Sequence, residues 1–360
     1  MSVSPWPAER AWRWYREQPW LVGCNFIPST ASNQLEMWQA ETFDPETIDR
    51  ELGWAAGIGM NAVRVYLHDI AFRVDGAGFL ERVERFLDLA ERHGVRTMFV
   101  LFDSVWNPFP KPGPQPEPRP RVHNAGWLQS PGREILSDPT RHHELEPYVS
   151  AVVGRFREDP RVLVWDVVNE PENPNLVSYG SEEPEDKDSL VLSLLEKAYG
   201  WTRAADPAQP LTSGVWQGDW RDPAALSPVN EFLLTRSDVV SFHCYLAAER
   251  MRKFIAGLES YGRPLVCTEY MARTLGSTFE EVLPVLAEKR VGAFCWGLVA
   301  GRTQTIYSWD SWLRDYDSEP DPWFHDVFRS GGVPYREEEV RVIRACAQAV
   351  NGPPSEGAAG

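Results

Sequence analysis

Polar and aromatic side chains stand at the ends of several apolar segments of this 360-residue chain. Some of them lie two residues apart, a spacing that places both side chains on one face of a β-strand. A strand buried in a core needs only apolar residues, so polar groups at so many strand ends indicate a shared functional site. The candidates are Arg64, Tyr66, His68, Asp103, Trp106, Asn169, Glu170, Trp216, His243, Tyr245, Glu269 and Trp296.

Two glutamates in this set, Glu170 and Glu269, suggest chemistry on a glycosidic bond. Cleavage of that bond requires a proton for the leaving oxygen and a carboxylate that stabilises an oxocarbenium-like centre, and two carboxyl groups supply both. Signatures of rival chemistries do not occur: the sequence has no HExxH metal motif, no GxGxxG or GxxxxGK[ST] phosphate loop and no GxSxG nucleophile elbow. We therefore predict that the site uses neither a metal nor a cofactor.

The apolar segments alternate with amphipathic ones, a pattern typical of parallel strands connected by helices. One predicted helix begins with Asp44 as its N-cap and Pro45 at its first position, and another ends at Gly94. The predicted strands are 20–29, 61–68, 95–104, 161–171, 210–218, 238–246, 263–271 and 292–301. This alternation predicts a (β/α)8 barrel, in which active-site residues lie at the carboxyl ends of the strands. Two doubly wound domains are the alternative, but no linker-like composition lies near the middle of the chain.

Two further segments extend this predicted barrel at the ends of the chain. The tryptophan-rich segment 6–20 predicts an extra N-terminal helix that closes the floor of the barrel. We predict a single catalytic domain over residues 1–352, followed by a disordered tail at 353–360.

Two long segments, 105–137 and 301–335, follow the third and eighth predicted strands. Both are rich in aromatic residues, which disordered segments rarely carry, so we predict ordered walls that narrow the cleft. Trp106 and Trp127 of the first segment are candidate substrate contacts. The run PFPKPGPQPEPRP (108–120) within it predicts a stiff, extended strap, because proline fixes φ at every second position. A mobile surface loop is the alternative.

Four motifs at the ends of the predicted strands resemble those of the clan A glycoside hydrolases, and within the clan those of family 5, the cellulase and mannanase type. The motifs are WDVVNEP, SFHCY, VCTEY and FCWG, and the resemblance extends over residues 20–350. It implies a (β/α)8 barrel that hydrolyses β-glycosides with retention of configuration. Family members usually carry a histidine at the end of the third strand, where this sequence has Asp103 and Ser104.

The resemblance also implies a role for each matching residue. Glu170 corresponds to the general acid/base and Glu269 to the nucleophile. The matching supporting residues are Arg64, which orients the nucleophile, Asn169, which holds the substrate's 2-hydroxyl, His243 and Tyr245, which position the two glutamates, and Trp296, the platform beneath the sugar. Apart from the resemblance, Asp166 stands at period two from Glu170 and should point into the barrel, where it needs a buried partner such as Arg64.

Composition limits the partners and the compartment of the protein. The formal net charge of −16 argues against nucleic acid and anionic membrane surfaces, both of which attract Lys and Arg. No apolar stretch reaches the ~18 residues that span a bilayer, and the N-terminus lacks the pattern of a secretory signal. The five cysteines are scattered and resemble buried thiols of a reducing compartment. We therefore expect a cytoplasmic protein.

We expect the substrate to be a small β-linked saccharide, because a cytoplasmic enzyme meets imported oligosaccharides and glycosides rather than external polymers. This expectation favours an exo-acting β-glycosidase of the β-mannoside or β-glucoside type. The alternatives are an endo-acting β-glycanase of the mannanase, xylanase or cellulase type, and a transglycosylase that uses the same covalent intermediate. A catalytically silent, saccharide-binding barrel is the alternative from another functional class. The sequence leaves the oligomeric state open.

Overall fold

The computed structural model describes residues 4–218, 220 and 222–352, so the predicted disordered tail at 353–360 lies outside the described residues. Eight parallel strands alternate with helices and form a nearly closed barrel, which confirms the predicted (β/α)8 fold. The strands are β1 (Val22–Asn25), β2 (Ala62–Tyr66), β3 (Arg96–Asp103), β4 (Val162–Asn169), β5 (Leu211–Thr212), β6 (Val240–His243), β7 (Leu265–Tyr270) and β8 (Gly292–Trp296).

The sheet order is β5-β4-β3-β2-β1-β8-β7-β6, so strands that are consecutive in the chain are paired except at the seam between β5 and β6, and β1 pairs with β8. The barrel closes at the seam between β5 and β6 through the backbone of Val215. Its amide donates to the carbonyl of Ser241 at 3.1 Å, and its carbonyl accepts from the amide of His243 at 3.0 Å. Closure brings the carboxyl ends of all the strands around one mouth.

The helices surround the barrel and bury their apolar faces against it. They are α1 (Ala8–Glu17), α2 (Gln34–Trp38), α3 (Pro45–Gly57), α4 (Asp69–Val74), α5 (Gly76–Arg92), α6 (Arg133–Leu136), α7 (Glu146–Phe156), α8 (Lys187–Ala204), α9 (Pro228–Arg236), α10 (Ala248–Leu258), α11 (Phe279–Glu288) and α12 (Glu337–Asn351). The predicted start of α3 is confirmed, because the carboxylate of Asp44 accepts from the amide of Thr47 at 3.0 Å and Pro45 is the first helical residue. None of the helices in the described part of the chain is long and apolar enough to cross a bilayer.

The observed strands are shorter than the apolar runs that predicted them, and the difference is largest at the fifth. The run 210–218 forms a strand only over β5. Beyond it, the amides of Trp216 and Gln217 donate to the carboxylate of Glu172 at 2.6 and 3.1 Å instead of joining a ladder. Apolar composition alone did not reveal this competing acceptor, which comes from the segment after β4.

Helix α1 lies across the floor of the barrel, as predicted for the N-terminal segment. Tyr15 is buried among residues at the amino ends of the strands, including Leu21, Ala62 and Val266. Its hydroxyl lies 3.2 Å from the carbonyl oxygen of Leu265. The helix therefore closes the end of the barrel opposite the mouth.

The β3 segment (residues 105–137) and the β8 segment (residues 301–335) contact each other above the mouth. The amide of Asn124 donates to the carbonyl of Thr303 at 2.8 Å. Further hydrogen bonds join His123 to Trp312 and to Ser311, at 2.8 and 3.0 Å. The two segments thus form a single wall, although they are far apart in sequence.

The proline-rich run 108–120 makes specific contacts along its length. The amide of Gly113 donates to the side chain of Gln39, just after α2, at 2.7 Å, and Gln39 donates back to the carbonyl of Gly113 at 3.0 Å. Glu117 pairs with Arg302 of the β8 segment at 3.0 Å. These contacts agree with a strap that is held at two points in its middle.

Candidate active site

A cleft with a cavity volume of about 210 Å³ opens at the carboxyl ends of the strands. Many of the side chains that were predicted from the strand ends line this cleft together. Residues from the segments after β3 and β5 thus lie beside residues at the ends of the barrel strands. The predicted residues that line the cleft are Trp106, Asn169, Glu170, Trp216, Tyr245, Glu269 and Trp296.

Glu269, near the end of β7, accepts hydrogen bonds on both carboxylate oxygens. Oε1 accepts from Nη1 of Arg64 at 2.8 Å and from the hydroxyl of Tyr66 at 2.9 Å. Oε2 accepts from the hydroxyl of Tyr245 at 2.6 Å. Two donors on β2 and one just after β6 hold the carboxylate in one orientation while Glu269 still lines the cleft.

Arg64 is fully buried on β2 and is itself held by carboxylate and amide oxygens. Its Nε and Nη2 donate to Asp166 at 2.9 and 2.7 Å, which confirms the predicted partner of that aspartate. Nη1 also donates to Oδ1 of Asn25 at 2.9 Å. Burial raises the pKa of Asp166 to about 6, and the guanidinium of Arg64 opposes that shift. The pair fixes the position from which Arg64 reaches Glu269.

Glu170 follows the last residue of β4 and has different surroundings. Its Oε1 lies 2.7 Å from Nδ1 of His243, and its Oε2 accepts from Nδ2 of Asn173 at 2.6 Å. Burial raises the pKa of Glu170 to about 7. Burial also lowers the pKa of His243 to about 4, so the imidazole is neutral near pH 7. Glu170 can therefore hold a proton at neutral pH and still release it.

The two glutamates lie close together across the cleft. One carboxylate oxygen of Glu170, one of Glu269 and a ring nitrogen of His243 all lie within 4.8 Å of one another. Such a group could ligate a cation, but both carboxylates already accept hydrogen bonds from neutral donors, Asn173 on Glu170 and Tyr245 on Glu269. A short separation between carboxyl groups is the arrangement of retaining glycosidases, in which it is ~5–5.5 Å, whereas inverting enzymes need ~6.5–9.5 Å.

Asp103 and Ser104 stand where the family pattern has a histidine. Both hydrogen-bond to residues at the end of β4. Oδ1 of Asp103 accepts from Nδ2 of Asn169 at 3.1 Å, and the hydroxyl of Ser104 donates to the backbone carbonyl of Glu170 at 2.7 Å. Asn169 also accepts from Nη2 of Arg64 at 2.7 Å. Burial raises the pKa of Asp103 to about 7. The aspartate is buried outside the cleft, so it orients Asn169 and does not line the substrate space.

Two predicted substrate contacts lie outside the cleft. Trp127 is buried, and its indole N–H donates to Oδ2 of Asp103 at 2.8 Å, so it supports the same aspartate. His68 lies beyond the end of β2, where the chain turns into α4 and the two-residue alternation no longer applies. Its Nδ1 accepts from the amide of Ile70 at 3.2 Å and caps that helix. Trp106 and Trp216 line the cleft as predicted.

Some residues of the site were not predicted from the sequence. Asn173 follows Glu170 by one turn and could have been noticed from its proximity. Lys187 could not, because it begins α8, yet its ammonium donates to the carbonyls of Ser104 and Asn173 at 2.8 and 2.6 Å. Lys187 therefore joins two of the residues that hydrogen-bond to Glu170. His123, Asn124 and Trp309 also line the cleft and were missed.

No protein-family model matches the chain. The chain is 21% identical over 237 residues to a mannan endo-1,4-beta-mannosidase of Oryza sativa subsp. japonica, a match that covers 59% of this chain and 58% of the relative. The chain thus spans less than two thirds of the length of that curated relative.

Solved structures resemble this chain over almost its full length. A variant of the GH5_18 protein from Streptomyces cattleya in complex with Manβ1-4GlcNAc gives a TM-score of 0.62 at 14% identity, covering 94% of this chain and 82% of that one. The exo-β-1,4-mannosidase Op5Man5 from Opitutaceae bacterium strain TAV5 gives a TM-score of 0.62 at 18% identity, covering 92% and 60%. The chain therefore has the (β/α)8 fold of the family 5 glycoside hydrolases of clan A, as its motifs predicted.

Proposed function

We propose that this protein is a retaining β-glycoside hydrolase that acts by double displacement. The observation that carries the proposal is the pair of carboxylates of Glu170 and Glu269, of which one oxygen each lies within 4.8 Å of the other across the cleft. The surroundings of the two carboxyl groups indicate which one is the nucleophile and which one is the acid/base. Glu269 has a guanidinium beside it, and Glu170 has a pKa raised to about 7 by burial.

In the first step, a carboxylate oxygen of Glu269 attacks the anomeric carbon, and Glu170 gives its proton to the leaving glycosidic oxygen. The bond to the leaving group breaks, and a glycosyl-enzyme ester forms. In the second step, the ionised Glu170 takes a proton from water, whose oxygen attacks the same carbon and releases Glu269. Two inversions at one carbon give net retention.

Neighbouring residues supply binding and orientation in this proposal. Asn169, held by Arg64 and Asp103, is placed to bind the 2-hydroxyl of the sugar next to Glu269. Trp296 lines the same cleft and offers an apolar face beneath the sugar ring. Tyr66 and Tyr245 hold the two oxygens of the nucleophile during both steps.

We further propose that the enzyme is exo-acting on small β-mannosides or β-glucosides. The wall formed by the β3 and β8 segments supports this, because it stands beside the cleft and contributes Trp106, His123, Asn124 and Trp309 to its lining. Such a wall leaves less room for a chain that would continue past the terminal sugar. An endo-acting β-glycanase remains the second candidate, and the mannan endo-1,4-beta-mannosidase among the curated relatives favours it.

A panel of aryl β-glycosides (mannoside, glucoside, xyloside and galactoside) followed by NMR of the first-formed product tests this proposal. We expect hydrolysis of at least one glycoside and a product with the β configuration. With β-1,4-linked oligosaccharides, exo action releases only monosaccharide from the non-reducing end, whereas endo action releases a mixture of shorter chains. Transfer products would indicate a transglycosylase. Binding without turnover on the whole panel would contradict the proposal and indicate a saccharide-binding barrel.

The proposed acid predicts the pH dependence of the reaction. Glu170 donates only in its protonated form, and burial raises its pKa to about 7. We expect kcat/KM to fall by about tenfold per pH unit above that pKa. The measurement is kcat/KM on the best aryl glycoside from pH 4 to 9. A profile that stays flat between pH 7 and 9 would contradict the assignment of Glu170 as the acid.

Replacement of Lys187 by methionine should disturb the acid through its neighbours. The ammonium holds Ser104 and Asn173 against Glu170, and its charge lowers the pKa of that carboxyl. We expect Lys187→Met to lower kcat by about tenfold and to move the alkaline limb of the kcat/KM profile to higher pH. Lys253→Met, at an exposed lysine of α10, is the matched control. A slower variant with an unchanged pH profile would mean that Lys187 has only a structural role.

A further inference from the structure

Asn124 occupies an unusual position in the wall beside the cleft. Its backbone is in the left-handed region, with φ of 49°. Its backbone amide donates to the carbonyl of Thr303 and so joins the β3 segment to the β8 segment. The residue is only 1% exposed, although it lines the cleft that contains Glu170 and Glu269. Asparagine tolerates this backbone conformation better than most residues, and glycine tolerates it better still. The backbone conformation thus favours asparagine over most residues, but it does not require the side-chain amide, because glycine would serve as well.

The side-chain amide of Asn124, unlike its backbone amide, has no hydrogen-bond partner among the described residues, at either Nδ2 or Oδ1. An amide side chain can donate two hydrogen bonds and accept two, and leaving them unmade in a buried place costs free energy. Buried amides without partners are uncommon, and each one calls for an explanation such as a functional role. Here the unpartnered amide lowers the stability of the chain, and it belongs to a residue that lines the cleft.

The surroundings of Asn124 indicate which polar ligand would fit. The same cleft is lined by the rings of Trp296, Trp309 and His123. Nδ1 of His123 lies 2.8 Å from the carbonyl of Tyr307, so that nitrogen is already occupied. A smaller cavity of about 20 Å³ lies on the other side, between Asn124 and Trp296. Beside Asn124, a ligand must offer both donors and acceptors next to aromatic faces, which is the chemistry of sugar hydroxyl groups.

We infer that Asn124 is a specificity-determining residue. Its side chain hydrogen-bonds to one hydroxyl of the terminal sugar, at C3, C4 or C6, beside the wall. The inference rests on the proposed glycosidase function and deepens it. Asn169 is placed for the 2-hydroxyl near the scissile bond, and Asn124 holds a hydroxyl at the far side of the same ring. A sugar chain extended through that hydroxyl would collide with the wall, so the contact also selects terminal sugars.

The test compares wild type and Asn124→Gly on an aryl β-glycoside and on its 3-, 4- and 6-deoxy analogues. Glycine keeps the positive φ without strain, so this variant removes the amide and leaves the wall intact. We expect wild type to lose about 10- to 100-fold in kcat/KM on one deoxy analogue. In the variant, that loss should shrink to about twofold, while the losses at the other positions stay as in wild type. Asn124→Asp, which can accept but not donate, should fall between the two.

Two controls separate a binding role from a structural one. Asp206→Gly changes another residue with positive φ, at an exposed turn after α8, and should leave all the kinetics unchanged. Thermal unfolding of Asn124→Gly should remain cooperative. If the variant keeps the wild-type pattern on every deoxy analogue, the inference is overturned, whatever the change in absolute rate.

The outcomes also distinguish this inference from the proposed function. If wild type binds the glycosides without hydrolysing them, the proposed function fails. The same comparison is then made on dissociation constants by calorimetry, and a deoxy effect that disappears in Asn124→Gly supports the inference. If wild type neither binds nor hydrolyses any of these sugars, both proposals are overturned.

Discussion

Glu269→Ala is expected to lower kcat/KM by about ten-thousand-fold or more. The variant has no carboxylate to attack the anomeric carbon, so no glycosyl-enzyme forms. It also leaves Arg64, Tyr66 and Tyr245 without the acceptor that they share. Azide is small enough to enter the space of the missing carboxylate and to attack from the same face. We therefore expect partial rescue by azide, with an α-glycosyl azide as the product of a β-glycoside.

The measurement is the initial rate on the best aryl glycoside with and without sodium azide, and NMR gives the configuration of the azide product. Glu185→Ala, at an exposed glutamate between β4 and α8, is the matched control and should retain wild-type activity. Glu269→Gln keeps the shape of the side chain and should also be inactive. Full activity of Glu269→Ala, or a β-glycosyl azide from it, would contradict the assignment of the nucleophile.

Glu170→Ala should show a different pattern, because it removes the proton donor and leaves the nucleophile in place. For substrates with poor leaving groups, we expect a fall of about 10²–10⁴-fold in kcat/KM. A dinitrophenyl glycoside needs no protonation of its leaving oxygen, so it should still form the glycosyl-enzyme, which then accumulates. Azide needs no base to attack that intermediate, so it should restore turnover and give a β-glycosyl azide.

The readout is a burst of dinitrophenolate in the absence of azide and its conversion to steady turnover in the presence of azide. Glu185→Ala again serves as the control. The opposite configurations of the azide products from the two variants would identify which glutamate has which role. If Glu170→Ala slowed all substrates equally, whatever their leaving group, Glu170 would have no role as the acid.

Much of the barrel and part of the site follow from local sequence patterns. Apolar runs that alternate with capped amphipathic segments specify parallel strands joined by helices, as the start of α3 at Asp44 shows. In parallel strands, the direction of the chain alone determines which end of each strand faces the mouth. Glu170 and Glu269 could therefore be placed at one cleft, and Arg64 could be paired with Asp166, from spacing alone.

Only the tertiary structure decided what the connecting segments do. In the structure, Asp103 and Ser104 hydrogen-bond to Asn169 and Glu170, and Trp127 hydrogen-bonds to Asp103. His68 lies outside the cleft, whereas Asn124 lines it.

The physical reason is the range of the interactions. Strand direction and the alternation of side chains are local properties, whereas the path of a long segment depends on hydrogen bonds to distant ones. The bond from Asn124 to Thr303 joins the β3 and β8 segments, and that from Lys187 to Ser104 joins α8 to the end of β3. From the sequence one can therefore determine the barrel and its two glutamates, but the wall, and with it the shape of the cleft, exists only once the barrel has closed.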